Sequence, residues 1–206
     1  MIEVPKPPNL PKQSIDSDAI LTGIWASLSR GVADVKHDWH WPVLTTIKNT
    51  PTGPHASARV VVLRAFNSAR RSVEIHSDSR AQKIIELQDK PIGGQASNKA
   101  GLLFYDNRSR TQLRIQAHAA VSIDNAISKA AWAKLPENGR TQYLGCEAPG
   151  SSLPDQRANS TTPYFAVIEL TIDSIDWLVL AREGHQRMRF IWEDQTQQCI
   201  ATALVP

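Results

Sequence analysis

Ala58-Arg59-Val60-Val61-Val62-Leu63-Arg64 sets a guanidinium near each end of a stretch that otherwise reads as a buried β-strand. Four consecutive apolar, mostly β-branched residues call for protein on both faces. In one continuous strand Arg59 and Arg64 are an odd number of positions apart, so they point to opposite faces roughly 16 Å from each other. Two readings fit. Each arginine can snorkel from a strand end to water. Alternatively the strand crosses a barrel wall and its arginines grip an anionic ligand, because the planar fork of arginine matches phosphate geometry.

Around this run the chain is that of an ordinary globular protein. Its 206 residues are 41% hydrophobic and 21% charged, enough for one substantial core and too few for two comfortable domains. The net charge of +3 comes from basic residues scattered along the chain. A dedicated nucleic-acid binder shows a stripe of Lys and Arg interleaved with aromatics, so this class is disfavoured. Cys146 and Cys199 are far apart and form no C-x-x-C pattern, which points to packing roles in a reducing compartment. The first thirteen residues hold Pro5, Pro7, Pro8 and Pro11 without the apolar segment of a signal peptide, and read as an extended arm before one domain from Ser14 to Pro206. No apolar run approaches the roughly 18 residues needed to cross a bilayer. A cytoplasmic protein is expected.

Periodicity supplies the elements. Ser14 or Asp16 caps a helix with Ile20, Leu21, Ile24, Trp25 and Leu28 at helical spacing, ending near Gly31. A strand from Val43 to Lys48 leads through Asn49-Thr50-Pro51-Thr52-Gly53-Pro54 into the Arg59 strand as a hairpin, and a further turn at Asn67-Ser68 leads to a strand over Ser72–Ser77. A helix from Ser79 to Gln88 precedes a loop at Pro91-Ile92-Gly93-Gly94. Strands follow at Gly101–Tyr105 and Leu113–Ile123, the second alternating with period two. Asp124 or Asn125 caps a helix through Leu135, with a short helical turn within Pro136–Gly145. Glu147–Thr162 reads as a long loop, of the kind that is often functional. Four closing strands are expected at Tyr164–Ile172, Trp177–Ala181, Met188–Glu193 and Cys199–Leu204. Many short antiparallel strands with few helices indicate a closed barrel, which removes exposed sheet edges.

Beside the Arg59 run stand Glu74-Ile75-His76-Ser77-Asp78-Ser79-Arg80-Ala81-Gln82-Lys83-Ile84-Ile85, then Arg110-Thr111-Gln112-Leu113-Arg114-Ile115-Gln116-Ala117-His118-Ala119, then Ile175-Asp176-Trp177-Leu178 and Gln186-Arg187-Met188-Arg189-Phe190. This ordered set resembles the pyridoxamine 5'-phosphate oxidase family of FMN-binding split barrels, from about Val43 to the C-terminus. It is nearer to a branch of related FMN-binding proteins than to the vitamin B6 oxidases themselves. The fold implied is mainly β with flanking helices: a split β-barrel.

The resemblance also implies a cofactor site. Arg59, Val60, Val61, Val62, Leu63 and Arg64 would lie along the flavin, His76 and Ser77 would end the next strand against it, and Gln82 and Lys83 would hold the phosphate. Family members typically carry an Arg-Lys pair where this chain has Gln82-Lys83, so one phosphate contact is missing unless Arg80 substitutes from the same turn. Gln112 falls where the family places an amide on the flavin, Pro149 and Gly150 lie in the loop that reaches the flavin of the other subunit, and Leu178 and Arg189 fall where the family has a Trp and an Arg near the ring. Read without the resemblance, Lys83 is an exposed lysine on a surface helix, Gln112 a solvated strand end and Trp177 a core aromatic.

These residues imply an FMN-dependent oxidoreductase, a homodimer with FMN at the subunit interface, acting on a small anionic molecule. The alternative is a non-catalytic flavin- or haem-binding protein on the same barrel. Arg64, Arg140, His185 and Arg187 are the substrate candidates; no catalytic side chain is assigned. The oxidases' Arg-x-His substrate motif appears here exchanged, as His185-Gln186-Arg187. The H-x-x-H spacing of His37-Asp38-Trp39-His40-Trp41-Pro42 lacks a third ligand and reads as aromatic packing, so no metal is expected.

Overall fold

The computed structural model describes residues 16–88, 98–152, 161–182, 184–193, 196 and 198–206. The proline-rich arm and the Pro91–Gly94 loop lie outside the described residues, as do residues 153–160 of the long loop.

The first helix, α1 (Ser17–Ala33), starts where the Asp16 carboxylate accepts from the backbone N–H groups of Asp18 and Ala19. Its apolar face buries Ile24 and Leu28. Gly31 lets the chain fold back, since a Cβ there would stand 3.0 Å from the Trp39 backbone. His40 Nδ1 bonds the Gly31 carbonyl at 2.6 Å, and Trp39 packs on Phe104. The His37–Pro42 segment is thus packing, as its composition indicated.

Among the described residues nine strands follow: β1 (Val43–Thr50), β2 (Gly53–Val60), β3 (Leu63–Asn67), β4 (Ser72–Asp78), β5 (Lys99–Asp106), β6 (Thr111–Ile123), β7 (Phe165–Val179), β8 (Gln186–Trp192) and β9 (Cys199–Leu204). They form one antiparallel sheet in the order β2-β1-β5-β6-β7-β4-β3, with β8 on β7 and β9 on β8. The end strands β2 and β3 are joined by Val61 and Val62 alone. Two residues cannot cross an open seven-strand sheet, whose strands lie about 4.8 Å apart. The sheet is therefore rolled into a barrel. It splits at β7, whose first half pairs with β4 and whose second half pairs with β8, while β6 runs along its other side throughout.

Three expectations need correction here. The run 58–64 is not one buried strand: β2 ends at Val60, which is 61% exposed, and β3 begins at Leu63, which is fully buried. The break is where the chain leaves the edge partner β1 and joins β4, with the Val61 N–H donating to the Pro42 carbonyl. Conversely, the two strands expected at 164–172 and 177–181 are one. Asp173 is an extra residue between the pairs Ala117–Ile172 and Gln116–Ser174, a bulge that bends β7 without ending it. The helix expected over Ser79–Gln88 is also shorter: α2 spans Gln82–Gln88, because the Asp78 carboxylate holds Arg80 in a turn before it.

Inside the barrel Leu44, Leu63, Ile75, Phe104, Leu113, Ile115, Ile168 and Phe190 are buried. A second, smaller cluster sits outside it. Helix α3 (Ala126–Lys134), capped by Asn125 with Ser128, covers the outer face of β7, and the short α4 (Glu137–Arg140) follows it. There Tyr143, Phe165 and Val167 pack with Trp132 and Leu135.

Candidate functional site

Alternation along β4 divides the site. Val73, Ile75 and Ser77 are buried on the inner face, whereas Glu74, His76 and Asp78 stand opposite Glu169, Val167 and Phe165 on the outer face. His76 and Ser77, adjacent in sequence, therefore serve different surroundings.

On the inner side Ser77 meets α2 and the β1–β2 hairpin. Lys83 Nζ donates to Ser77 Oγ at 3.0 Å. Arg59 donates to Thr46 Oγ1 and Ser57 Oγ, and pairs with Glu86 Oε2 at 2.8 Å. The Glu86 side chain is 1% exposed, and its Oε1 has no hydrogen-bond partner among the described residues. Burial pushes the pKa of Lys83 down and the nearby Arg59 cation pushes it further, against the opposing pull of Asp78 and Glu86. Two cations and several hydroxyls are thus held together with one carboxylate. The surplus positive charge fits an anion.

Gln82 is exposed at the start of α2. Arg80 does not complete this cluster. Its guanidinium makes a paired contact with Asp78, donates to the carbonyls of Cys146 and Glu147, and lies over the Tyr164 ring at 3.4 Å. It anchors the segment leading to Pro149 and Gly150, an exposed turn in which Gly150 has φ 89°.

Arg64 lies at the register shift between Leu63 and Ala65, and the bulge turns it outward to the Tyr143 hydroxyl. Burial pushes the Tyr143 pKa up while Arg64 opposes the shift. Below Arg64, His76 Nε2 bonds Glu74 Oε1 at 2.9 Å, and this hydrogen bond holds the Glu74 carboxyl below its ordinary range against the desolvation that would raise it. A cleft of about 510 Å³ opens there, with Arg64, Glu74 and His76 on one side and Ala131, Lys134 and Leu135 of the α3 region on the other.

A third group occupies the outer face of the other half of the barrel. Gln112, Leu178 and Arg187 are cross-strand neighbours, and so are Arg114, Asp176 and Arg189. Asp176 accepts from Arg187 (2.8 and 3.0 Å) and Arg114 (2.7 Å), with Arg189 at 3.7 Å. Partial burial pushes its pKa up, but Arg187 and Arg114 outweigh that and hold it down. Trp177 pairs with Leu113 and packs on the core, so Leu178 and not Trp177 shares the face of Gln112. Arg140 closes the end of α3 by donating to the Trp132 and Ala133 carbonyls, and His185 is exposed.

The cofactor candidates of the Ser77 cluster and those of this third group stand near opposite ends of β7. Ser77 is paired with Ala166, and Leu178 lies twelve residues further along β7, roughly 40 Å of strand. The partners that sequence reasoning left without a role are Glu86, Glu74, Asp176, Arg114, Lys134 and Tyr143. For Glu74 the signal was there in the alternation that sets it beside His76; for Glu86 it was a carboxylate three residues after Lys83 on one helix face.

Residues 23–123 match the family model described as the FMN-binding domain of pyridoxamine 5'-phosphate oxidase. The chain carries a domain of this family. Among solved structures, a pyridoxamine 5'-phosphate oxidase-related FMN-binding protein of Nostoc punctiforme matches with a TM-score of 0.70 and 20% identity, over 94% of this chain and 100% of that one. PhzG from Burkholderia lata, crystallised with tetrahydrophenazine-1-carboxylic acid, matches with a TM-score of 0.66 and 17% identity, over 94% of this chain and 95% of that one. These similarities show the same split-barrel fold. No curated protein matches the chain. The FMN-binding domain includes the Arg59, Ser77, Lys83 and Glu86 cluster within its matched span, and the chemistry of that cluster fits a phosphate: cations and hydroxyl donors in a partly desolvated place.

Proposed function

We propose that the chain is an FMN-dependent oxidoreductase in which Lys83, Arg59 and Ser77 hold the phosphate of the cofactor. The observation that carries this reading is Lys83 itself, a half-buried ammonium held beside a second cation with a lowered pKa. An ammonium is costly to bury near a like charge unless an anion completes the site. Bound FMN supplies reversible two-electron chemistry, accepting a hydride from a donor molecule. The protein supplies placement and charge.

The two groups of cofactor candidates favour a homodimer. The phosphate cluster and the Gln112, Leu178 and Arg189 group lie near opposite ends of β7, a span that one flavin nucleotide does not cover, so both reach one flavin only when they come from different copies. The outer face of Gln112 and Arg189 also exposes Leu103, Tyr105, Ile191 and Ile200, between 37% and 45% each, the kind of apolar patch that a partner covers. Both cysteines are unpaired, which supports a cytoplasmic setting. No described helix is long and apolar enough to cross a membrane.

The test is the visible spectrum of the purified protein together with its sedimentation. A flavin spectrum that is lost on dilution to monomer supports the reading. A monomer that keeps FMN at low micromolar concentration refutes the shared site, and a protein that neither contains nor takes up FMN refutes the function.

A further inference from the structure

Helical spacing sets Ile20, Gly23, Ile24 and Ser27 in one row along α1, at steps of three and four residues. Between this row and the turn that joins β5 to β6 a cleft of about 300 Å³ opens, at the small end of the range of ligand pockets. Its body is apolar: Ile20 and Ile24 line it from the helix, and Trp39 and Trp177 from the barrel side. It shares no lining residue with the Lys83 cluster or with the cleft of Arg64.

Two independent features of this cleft are left unexplained by the packing of the chain. The first is Gly23, which stands inside α1, where glycine weakens a helix relative to alanine. Gly31 is required by the nearby Trp39 backbone, but a Cβ at Gly23 would project into open space, with nothing within 4 Å among the described residues. The helix backbone is therefore bare where it lines the cleft. The second is Trp39, which is 3% exposed and packed on Phe104, and whose indole nitrogen has no hydrogen-bond partner among the described residues. An indole N–H only donates, so what it lacks is an acceptor. A buried donor without a partner has a cost that the acceptor of a ligand removes.

The rim is balanced in charge. Arg30 donates to Ser27 Oγ at 3.3 Å, and across the cleft Asp106 Oδ1 accepts from the N–H groups of Arg108 and Ser109 at 2.8 and 3.0 Å. Burial pushes the Asp106 pKa up, but the N–H groups of Ser109 and Arg108 outweigh it and hold the carboxyl below its ordinary range. One cation and one carboxylate leave no net charge for a ligand to answer, and an ion entering the cleft loses water without a matching gain.

We propose that the cleft between α1 and the β5–β6 turn binds a small neutral molecule with a carbonyl or amide oxygen, which accepts the Trp39 N–H while its compact apolar body lies against Gly23 between Ile20, Ile24 and Trp177. The site stands whether or not the chain carries a flavin.

The experiment is NMR titration of the full nitrogen-labelled chain, following the indole N–H signals, with probes of one shape: benzamide, toluene, benzoate and benzamidinium. The Trp39 signal is the one lost in Trp39→Phe. Benzamide should shift it saturably, with a Kd on the order of 1 mM for so small a ligand. It should bind about three- to tenfold more tightly than toluene, as one net hydrogen bond implies, and more tightly than either ion. Gly23→Leu fills the cleft and replaces a poor helix former, so it should raise Tm by about 1 to 4 °C and weaken benzamide by roughly tenfold or more. Trp39→Phe, shown to be folded by circular dichroism, should bind benzamide and toluene alike, read from the Trp177 indole signal. A Trp39 signal that benzamide leaves in place would overturn the inference and show solvent alone at the indole. Equal binding of toluene by the parent chain, tighter binding of benzoate or benzamidinium, or full benzamide affinity in Gly23→Leu would overturn it as well.

Discussion

Replacing Lys83 by Met removes the ammonium while keeping most of the side chain's length, and it separates cofactor binding from folding. In the free protein Lys83 donates to Ser77 but stands partly desolvated near Arg59, with its pKa lowered. For a base with a depressed folded-state pKa, the unfolded chain holds more protons between the folded and unfolded values, so stability rises with pH through that window. Below it, at neutral pH, the charged lysine is a burden. Lys83→Met should therefore leave the FMN-free protein as stable as the parent or more so. FMN binding should respond in the opposite sense. A charge-assisted hydrogen bond to phosphate contributes about 1.5 to 3 kcal/mol, or roughly ten- to over a hundredfold in Kd. The assay is quenching of FMN fluorescence on titration with FMN-free protein, run from pH 7 to 10. The parent should lose affinity as Lys83 deprotonates, and the Met variant should be weak throughout and lack that pH dependence. A folded variant with the parent's Kd would refute the phosphate assignment.

Arg59→Ala should do more than weaken FMN, because it leaves the Glu86 carboxylate buried and unpaired. Breaking such a pair costs about 3 kcal/mol or somewhat more, so Tm should fall by roughly 6 to 12 °C, and adding Glu86→Leu should restore most of it. Arg80→Ala should leave the affinity of isolated FMN-free chains for phosphate little changed but speed proteolytic cleavage near Cys146 and Glu147, whose carbonyls Arg80 holds; equal cleavage rates would remove its anchoring role. Asp176→Asn should lower Tm at neutral pH by releasing three arginines against one another. Because the Asp176 pKa is lowered on folding, its contribution should be present above the ordinary carboxylate range and fade in the parent as pH falls through the lowered value. Pyridoxine 5'-phosphate should be a poor substrate, since Arg140 is spent on the end of α3 and Arg187 on Asp176; peroxide production at roughly 1 per second or faster with saturating FMN would contradict this.

Much of this protein is written in short-range pattern. Period-two alternation in 113–123, helical spacing after Ser14 or Asp16, and a cap at Asp124 or Asn125 each depend on neighbours a few residues away, and the structure has each element there, the strand starting two residues earlier and the caps being Asp16 and Asn125. Resemblance in ordered motifs was enough for the barrel and its cofactor class. Three things were decided only in three dimensions. The apolar run Val60–Leu63 reads as one strand because burial is written the same way on either side of a corner; that the chain turns there follows from β2 and β3 having partners at opposite edges of the sheet. Asp173 and Ser174 look like a strand break and are a bulge, because the unbroken partner β6 carries the ladder past the extra residue. The partners of the charged residues were the least legible: Arg59 with Glu86, Arg80 with the carbonyls of Cys146 and Glu147, and Asp176 with Arg114 and Arg187 join residues far apart in sequence. A charge declares its own sign and reach, but its pKa and its freedom to bind depend on which opposite charge the folded chain brings beside it, and on how much water is left between them.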